Sequence, residues 1–124
     1  MRPNQGDSEG VVMSELRKML GKIQRAEIGH GGYQDAMFGL SVTLGGEGWG
    51  VGDFKGGWNQ SIKSAGAQWS EKDRDREFSE MCRYVDDLLR DAKVDSVSRL
   101  IGVPVEVTLC GNRLKSWRIL TEVR

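Results

Sequence analysis

Long apolar runs are missing from this chain. No window approaches the roughly 18 to 20 consecutive apolar residues that a membrane-spanning helix needs. The N-terminus, MRPNQGDSEG, has no apolar stretch behind Arg2 of the kind a secretory leader carries. A soluble, cytoplasmic protein with no membrane partner is expected. Charge of one sign is missing too: 18 basic and 18 acidic side chains cancel, so no global positive field gathers phosphate backbones, and only a local basic patch would serve that purpose. Cysteine is scarce. Cys82 and Cys110 stand in no CxxC or Cys/His spacing, which favours two thiols buried as small apolar groups over a disulfide or a metal site. Histidine occurs once, at His30, and neither a second histidine nor a nucleophilic serine motif accompanies it.

At 124 residues the chain is one domain with a modest core. Residues 1–12 are Gly-, Pro-, Asn- and charge-rich and read as a flexible tail, leaving 13–124 as the domain. From Met13, MSELRKMLGK offers Ser14 as a cap and Leu16, Met19 and Leu20 at helical spacing, predicting a turn or two of helix that ends at Gly21. A weak strand follows around Ile23 and Arg25. Phe38, Leu40, Val42 and Leu44 then alternate with Met37, Gly39, Ser41 and Thr43, the pattern of a half-buried strand. Gly45 to Gly48 (GGEG) predicts a turn, and Trp49, Val51 and Asp53 alternate with glycines, predicting a hairpin partner whose outward face is nearly bare backbone. Lys55 to Gln68 shows no period and reads as a surface loop.

The strongest periodicity lies behind Trp69. Ser70 begins a capping-box-like start with Asp73, and Phe78, Met81, Cys82, Val85, Leu88, Leu89 and Ala92 make one apolar stripe, predicting an amphipathic helix from about Glu71 to Ala92. Within EKDRDRE the i,i+3 pairs are opposite in sign and the i,i+4 pairs alike, so the terms nearly cancel and a solvated face is the simpler reading. A turn or short helix at Ser96–Ile101 ends at Gly102 and Pro104. Val105, Val107 and Leu109, a Gly111-Asn112 turn, and Trp117, Ile119, Thr121 and Val123 then predict a closing hairpin. The fold class is α+β: a mainly antiparallel, meandering sheet, β-β-(β)-α-β-β, with one long helix on one face.

The chemistry-bearing constellations are sparse. Gly46, Gly48, Gly50 and Gly52 alternate and open onto Asp53-Phe54 rather than onto a capped helix, so they match neither a dinucleotide fingerprint nor a Walker loop. Alternating glycine belongs to strands, where it permits close backbone approach. His30 with Asp35 and Asp53 would make an acid/base or metal set only with further ligands, and Glu47, Asp53, Asp86 and Asp87 show no convergence from sequence. Neither a catalytic residue, nor a cofactor, nor a metal is assigned. Trp49, Phe54, Trp58 and Trp69 beside Lys55 and Lys63 suit two uses: stacking single-stranded bases, or anchoring a protein interface. With no net positive charge the protein interface is the favoured use, carried by Tyr33, Glu47, Asp53, Phe54, Lys55, Trp58, Trp69 and Arg74. An exposed strand edge also offers a route to a homodimer.

The stretches GGYQDAMFGLSVTLGGEGWGVGDFKGGW, RYVDDLLRDAKVDSVSRLIGVPVEVTL and LKSWRILTEV resemble a family of small uncharacterised proteins encoded by bacteriophages, prophages and other mobile elements of proteobacteria. The resemblance covers about Ile23 to the C-terminus. It implies action by binding in the host bacterial cytoplasm. Anti-CRISPR and other anti-defence inhibitors that occlude a host protein complex, a CRISPR effector among them, are one such class. Nucleic-acid-binding accessory proteins of phage replication or transcription are the alternative, and a small metal-dependent hydrolase or ligand-binding domain is the third reading.

Overall fold

The structure, a computed structural model, describes residues 16–32, 36–58 and 71–123, with the side chains of Trp58 and Val123 outside the description. Five antiparallel strands and one long helix follow the order β1 (Leu16–Gly31), β2 (Met37–Gly46), β3 (Trp49–Trp58), α1 (Glu71–Ala92), β4 (Pro104–Cys110) and β5 (Arg113–Ile119), with short 3-10 turns at Val97–Leu100 and Thr121–Val123. The predicted α+β class and the helix bounds both hold.

The first segment departs from expectation. Leu16 to Gly21 are not helical but form the opening of β1, which is 16 residues long. So short a helix is marginal by itself, whereas here every residue from Leu16 to Lys22 is paired with β4, from Cys110 back to Pro104. Met13 and Ser14, like the expected tail, lie outside the described residues. The second half of β1, from Lys22 to Gly31, pairs with β2. Early in this second half the register slips by one between Ile23 and Arg25, so Gln24 is bulged and the inward parity changes. Met19, Gly21 and Ile23 take the inward parity before it; Ala26, Ile28 and His30 take it after, and of these three Ala26 is buried while Ile28 and His30 are exposed.

The sheet order is β3-β2-β1-β4-β5, and the sheet curls until its outer strands β3 and β5 come together. Inside lie Ile23, Leu40, Val42, Leu44, Leu100, Val105, Val107, Leu109 and Ile119. Helix α1 closes the open side with Met81, Leu88 and Ala92. It ends in a left-handed turn at Lys93 (φ 59°), where Lys93 N–H donates to Arg90 C=O at 3.1 Å and Val94 N–H to Leu89 C=O at 3.0 Å; this is a Schellman ending with lysine where glycine is usual.

Three further expectations change. Lys55 to Trp58 are not loop but the end of β3, in register with Leu40 to Met37; the rest of that loop, residues 59–70, with Trp69 and the Ser70 cap, lies outside the described residues. The last strand stops at Ile119 and gives way to the 3-10 turn at Thr121–Val123. Cys82 is exposed and Cys110 half-buried, because Cys82 falls at the edge of the helical stripe and Cys110 on the outward parity of β4.

Glycine decides two close approaches. Gly39 of β2 and Gly56 of β3 are cross-strand partners, and each one's missing Cβ would lie in the backbone of the other strand, so the pair permits a sharp local bend of the hairpin. At Gly57 a Cβ would stand 2.8 Å from Phe78 Cδ1 and 3.0 Å from Glu77 Cβ, so this glycine lets the first turns of α1 seat on β3. A valine at Gly57 is expected to lower unfolding stability by about 1–3 kcal/mol through overpacking. Gly50→Ala, whose Cβ meets only Leu44 O at 3.6 Å, should change it by about 0.5 kcal/mol or less. Urea denaturation of the two variants checks the contrast.

Candidate functional site: the outward face of β1, β2 and β3

Side chains alternate across a strand, so consecutive residues of β3 part company. Val51, Asp53, Lys55 and Gly57 take the inward parity, while Gly50, Gly52, Phe54, Gly56 and Trp58 take the outward one. The expected binding residues therefore do not form one surface. Asp53 and Lys55 belong to the interior side: Asp53 Oδ2 accepts from Trp117 Nε1 at 2.8 Å, Asp53 Oδ1 accepts from the Phe54 N–H at 3.0 Å, and Lys55 Nζ lies over the Tyr84 ring at 5.7 Å. Arg74 sits on α1, paired with Glu71 at 3.5 Å and over the Phe78 ring at 5.3 Å. Glu47 is exposed at the β2–β3 turn, where Gly48 supplies a positive φ. Tyr33 and Trp69 lie outside the described residues. Of the eight, Phe54 and, by its register, Trp58 belong to the outward face.

That face reads row by row across β3, β2 and β1 as Gly50–Gly45–Lys22, Gly52–Thr43–Arg25, Phe54–Ser41–Glu27, Gly56–Gly39–Gly29 and Trp58–Met37–Gly31. One aromatic stands in the middle of a track stripped of side chains. Phe54 is half-buried because its ring reaches toward Gly31, where a Cβ would lie 2.9 Å from Cε1. Trp58 occupies the same parity four residues on, about 13 Å along the strand. Lys22 and Arg25 border the track on β1, and Arg25 is held 3.3 Å from Glu27. Bare strand backbone of this kind lets a flat ligand or another chain approach closely.

The sequence reading missed the border residues Lys22 and Arg25, and it missed Trp117. The charge that cancels over the chain is unevenly placed. The five strands carry eight basic residues against three acidic ones, and α1 carries eight acidic against five basic. The local basic surface left open by composition is thus the sheet.

His30 is exposed and packs edge-on against Phe38, centroids 5.7 Å apart, and Asp35 lies outside the described residues. In the sheet register His30 stands four residues along β1 from Ala26, whose row contains Asp53. The His30–Asp53 pairing is therefore not formed along one cross-strand row. Among the described residues no group of three or more His, Cys, Asp or Glu side chains gathers to hold a metal, and no helix is long and apolar enough to cross a membrane.

Behind the face, the Asp53–Trp117 hydrogen bond ties β3 to β5. Asp53→Ala leaves the Trp117 N–H without its acceptor at a half-buried seam and is expected to cost about 1–3 kcal/mol, while Asp53→Asn, which keeps an acceptor oxygen, should retain most of the stability. Thermal or urea unfolding of the two variants checks this. Nearby, burial first and the Asp53 charge second push the Tyr84 phenol up to about 12 from its usual 10.0. The folded state holds this proton more tightly than the unfolded chain, so the associated stability is complete below pH 10 and falls away as pH rises toward 12. Wild type should lose urea resistance over that interval more steeply than Tyr84→Phe. Comparison of the chain with protein-family models, with curated proteins and with solved structures found no match.

Proposed function

We propose that the protein binds single-stranded nucleic acid along the outward face of β1, β2 and β3, with Phe54 as a base-stacking platform. The observation that carries this reading is the track itself: an aromatic ring flanked along β3 by Gly52 and Gly56, with Lys22 and Arg25 on the neighbouring strand. Stacking on an aromatic ring is tolerant of sequence, and cations along one border follow the phosphates. The strand order supports it. A five-stranded curled sheet in which β1 pairs with β2 and β4, β3 approaches β5, and the helix joins β3 to β4 has the arrangement of the OB-fold, a partly open Greek-key barrel that binds oligonucleotides on its β2–β3 face. Fold alone assigns no function; the glycine track and its border give the arrangement its chemistry. The protein would act as a non-enzymatic accessory of nucleic-acid metabolism, in line with the replication or transcription role that the phage resemblance implies.

Occlusion of a bacterial protein assembly is the second reading. A separate observation favours it, the apolar groove taken up below.

Fluorescence anisotropy with labelled single-stranded oligonucleotides, across a salt series, tests the first reading. Binding should weaken as salt rises, and Arg25→Ala should reduce the slope of log K against log salt by about 0.7 for the one phosphate contact removed. Phe54→Leu keeps an apolar side chain over Gly31 but lacks a π-face. It should lose about 1–3 kcal/mol of binding, roughly 5- to 150-fold, while the unfolding midpoint changes little. Absence of binding at low salt, or full affinity in Phe54→Leu, overturns the assignment.

A further inference from the structure

Adjoining the glycine track at its Gly45–Lys22 row, the first half of β1 borders an open groove of about 550 Å³ lined by Leu20, Lys22, Gln24, Ile101, Pro104 and Leu120 among others. Leu20 is 71 % exposed and Ile101 55 % exposed. On the outward parity of β1, Leu20 stands between Lys18 and Lys22 and opposite Glu106 of β4. An aliphatic side chain left in water between two lysines gains nothing from the fold. Among the described residues no carboxylate lines the groove, and Glu106 is held by Arg118 at 3.1 Å. The surface therefore presents an apolar floor with cations at Lys18 and Lys22. Among the described residues no aromatic ring lines it, so these residues offer no platform for a base.

We propose that this groove docks an extended acidic segment of a partner protein, of the pattern acidic–x–aliphatic–x–acidic. The match follows from strand periodicity. Lys18, Leu20 and Lys22 face one way at two-residue intervals, about 13 Å from first to last. An extended peptide likewise presents residues i, i+2 and i+4 on one side. Its central aliphatic side chain sits between Leu20 and Ile101, and its two carboxylates meet Lys18 and Lys22. The lysines select against basic and neutral segments, because a cation there would face like charge without a partner. The groove shares Lys22 with the glycine track, but Phe54 and Arg25 take no part in it, so its test is separable from that of the nucleic-acid reading.

The test uses the full chain and a synthetic peptide with Glu-Thr-Leu-Thr-Glu at its centre, titrated to millimolar concentration and followed by backbone amide NMR. Shifts are expected at Lys18 to Gln24 and Ile101 to Val103. They should be absent when the peptide carries Lys for both Glu or Ser for Leu. Leu20→Ser, a change at an exposed position, should weaken binding by roughly ten-fold or more without altering the unfolding midpoint, and Phe54→Leu should leave the peptide shifts intact. Equal response to all three peptides, or none to any, overturns the proposal. So does a wild-type dimer that Leu20→Ser makes monomeric, which would name a second copy as the occupant. Contacts between Leu20 or Ile101 and residues before Leu16 in the free chain would name its own N-terminal segment instead. Loss of oligonucleotide binding in Leu20→Ser, with no peptide response, would assign the groove to nucleic acid.

Discussion

The rest of the structure depends on β1 serving two neighbours along its length. A flat five-stranded sheet exposes two faces and cannot enclose a core of this size. Because β1 is bulged at Gln24 and pairs with β4 up to Lys22 and with β2 from Lys22 onward, the two hairpins β2–β3 and β4–β5 are swung toward each other around one interior. The bulge also resets the parity, so that Ile23 and Ala26, three residues apart, both enter the core. Once the hairpins converge, Asp53 and Trp117 tie the seam with one hydrogen bond, and α1 lies over it. A strand without the bulge would turn one of its halves inside out, placing Arg25 and Glu27 among Leu40 and Val42.

Closure around an interior fixes what the outside can be. The outward positions of β2 and β3 carry glycine five times, at Gly39, Gly45, Gly50, Gly52 and Gly56. Glycine in a strand weakens it by roughly 0.5–1 kcal/mol relative to alanine. Three of the five are explained by close approaches: Gly39 and Gly56 by each other's strands, and Gly45 because a Cβ there would lie 2.7 Å from the Trp49 carbonyl oxygen and 2.9 Å from the Gln24 amide. Gly50 and Gly52 are not: a Cβ there would meet nothing nearer than 3.6 Å and 3.7 Å. Where a local rule is broken with no gain to packing, the reason is sought in binding, and these two residues lie on the approach to Phe54. The fold accounts for part of the glycine track and the proposed ligand for the remainder.

Much of this was legible in the sequence, and the errors have a common cause. The β2 alternation, the GGEG turn and the Glu71–Ala92 helix rest on long periodic runs, which local pattern describes well. The MSELRKMLGK segment misled because Leu16, Met19 and Leu20 fit helical spacing, yet Met19 faces the core and Leu20 faces water, a division that only the pairing of β1 with β4 imposes. Asp53, Phe54 and Lys55 are neighbours in sequence, but adjacency in a strand means opposite faces, so the three share no single surface. Extending the observed alternation from Asp53 through Trp58 would have separated them. Trp117 as partner of Asp53, 64 residues away, left no such trace, because the curl that joins them is a property of the whole sheet.

The zero net charge, which argued at first against nucleic acid, has a different meaning once the elements are placed. The strands hold eight basic and three acidic residues and α1 eight acidic and five basic, so the molecule carries opposite charge on its sheet and on its helix. A charged ligand responds to the potential of the surface it meets within about a Debye length, roughly 8–10 Å at physiological salt, rather than to the sum over the chain. An anionic strand approaching the outward side of β1 meets Lys18, Lys22 and Arg25 against the single carboxylate Glu27, and the helix side repels it. Such an arrangement orients the ligand before contact. Both proposed surfaces share that field: the glycine track borders Lys22 and Arg25, and the apolar groove borders Lys18 and Lys22. Lys22 stands where they meet, so an acidic segment seated in the groove removes positive potential from the end of the track nearest the β2–β3 turn. The two ligands are therefore expected to oppose each other through charge alone, without any change in the fold.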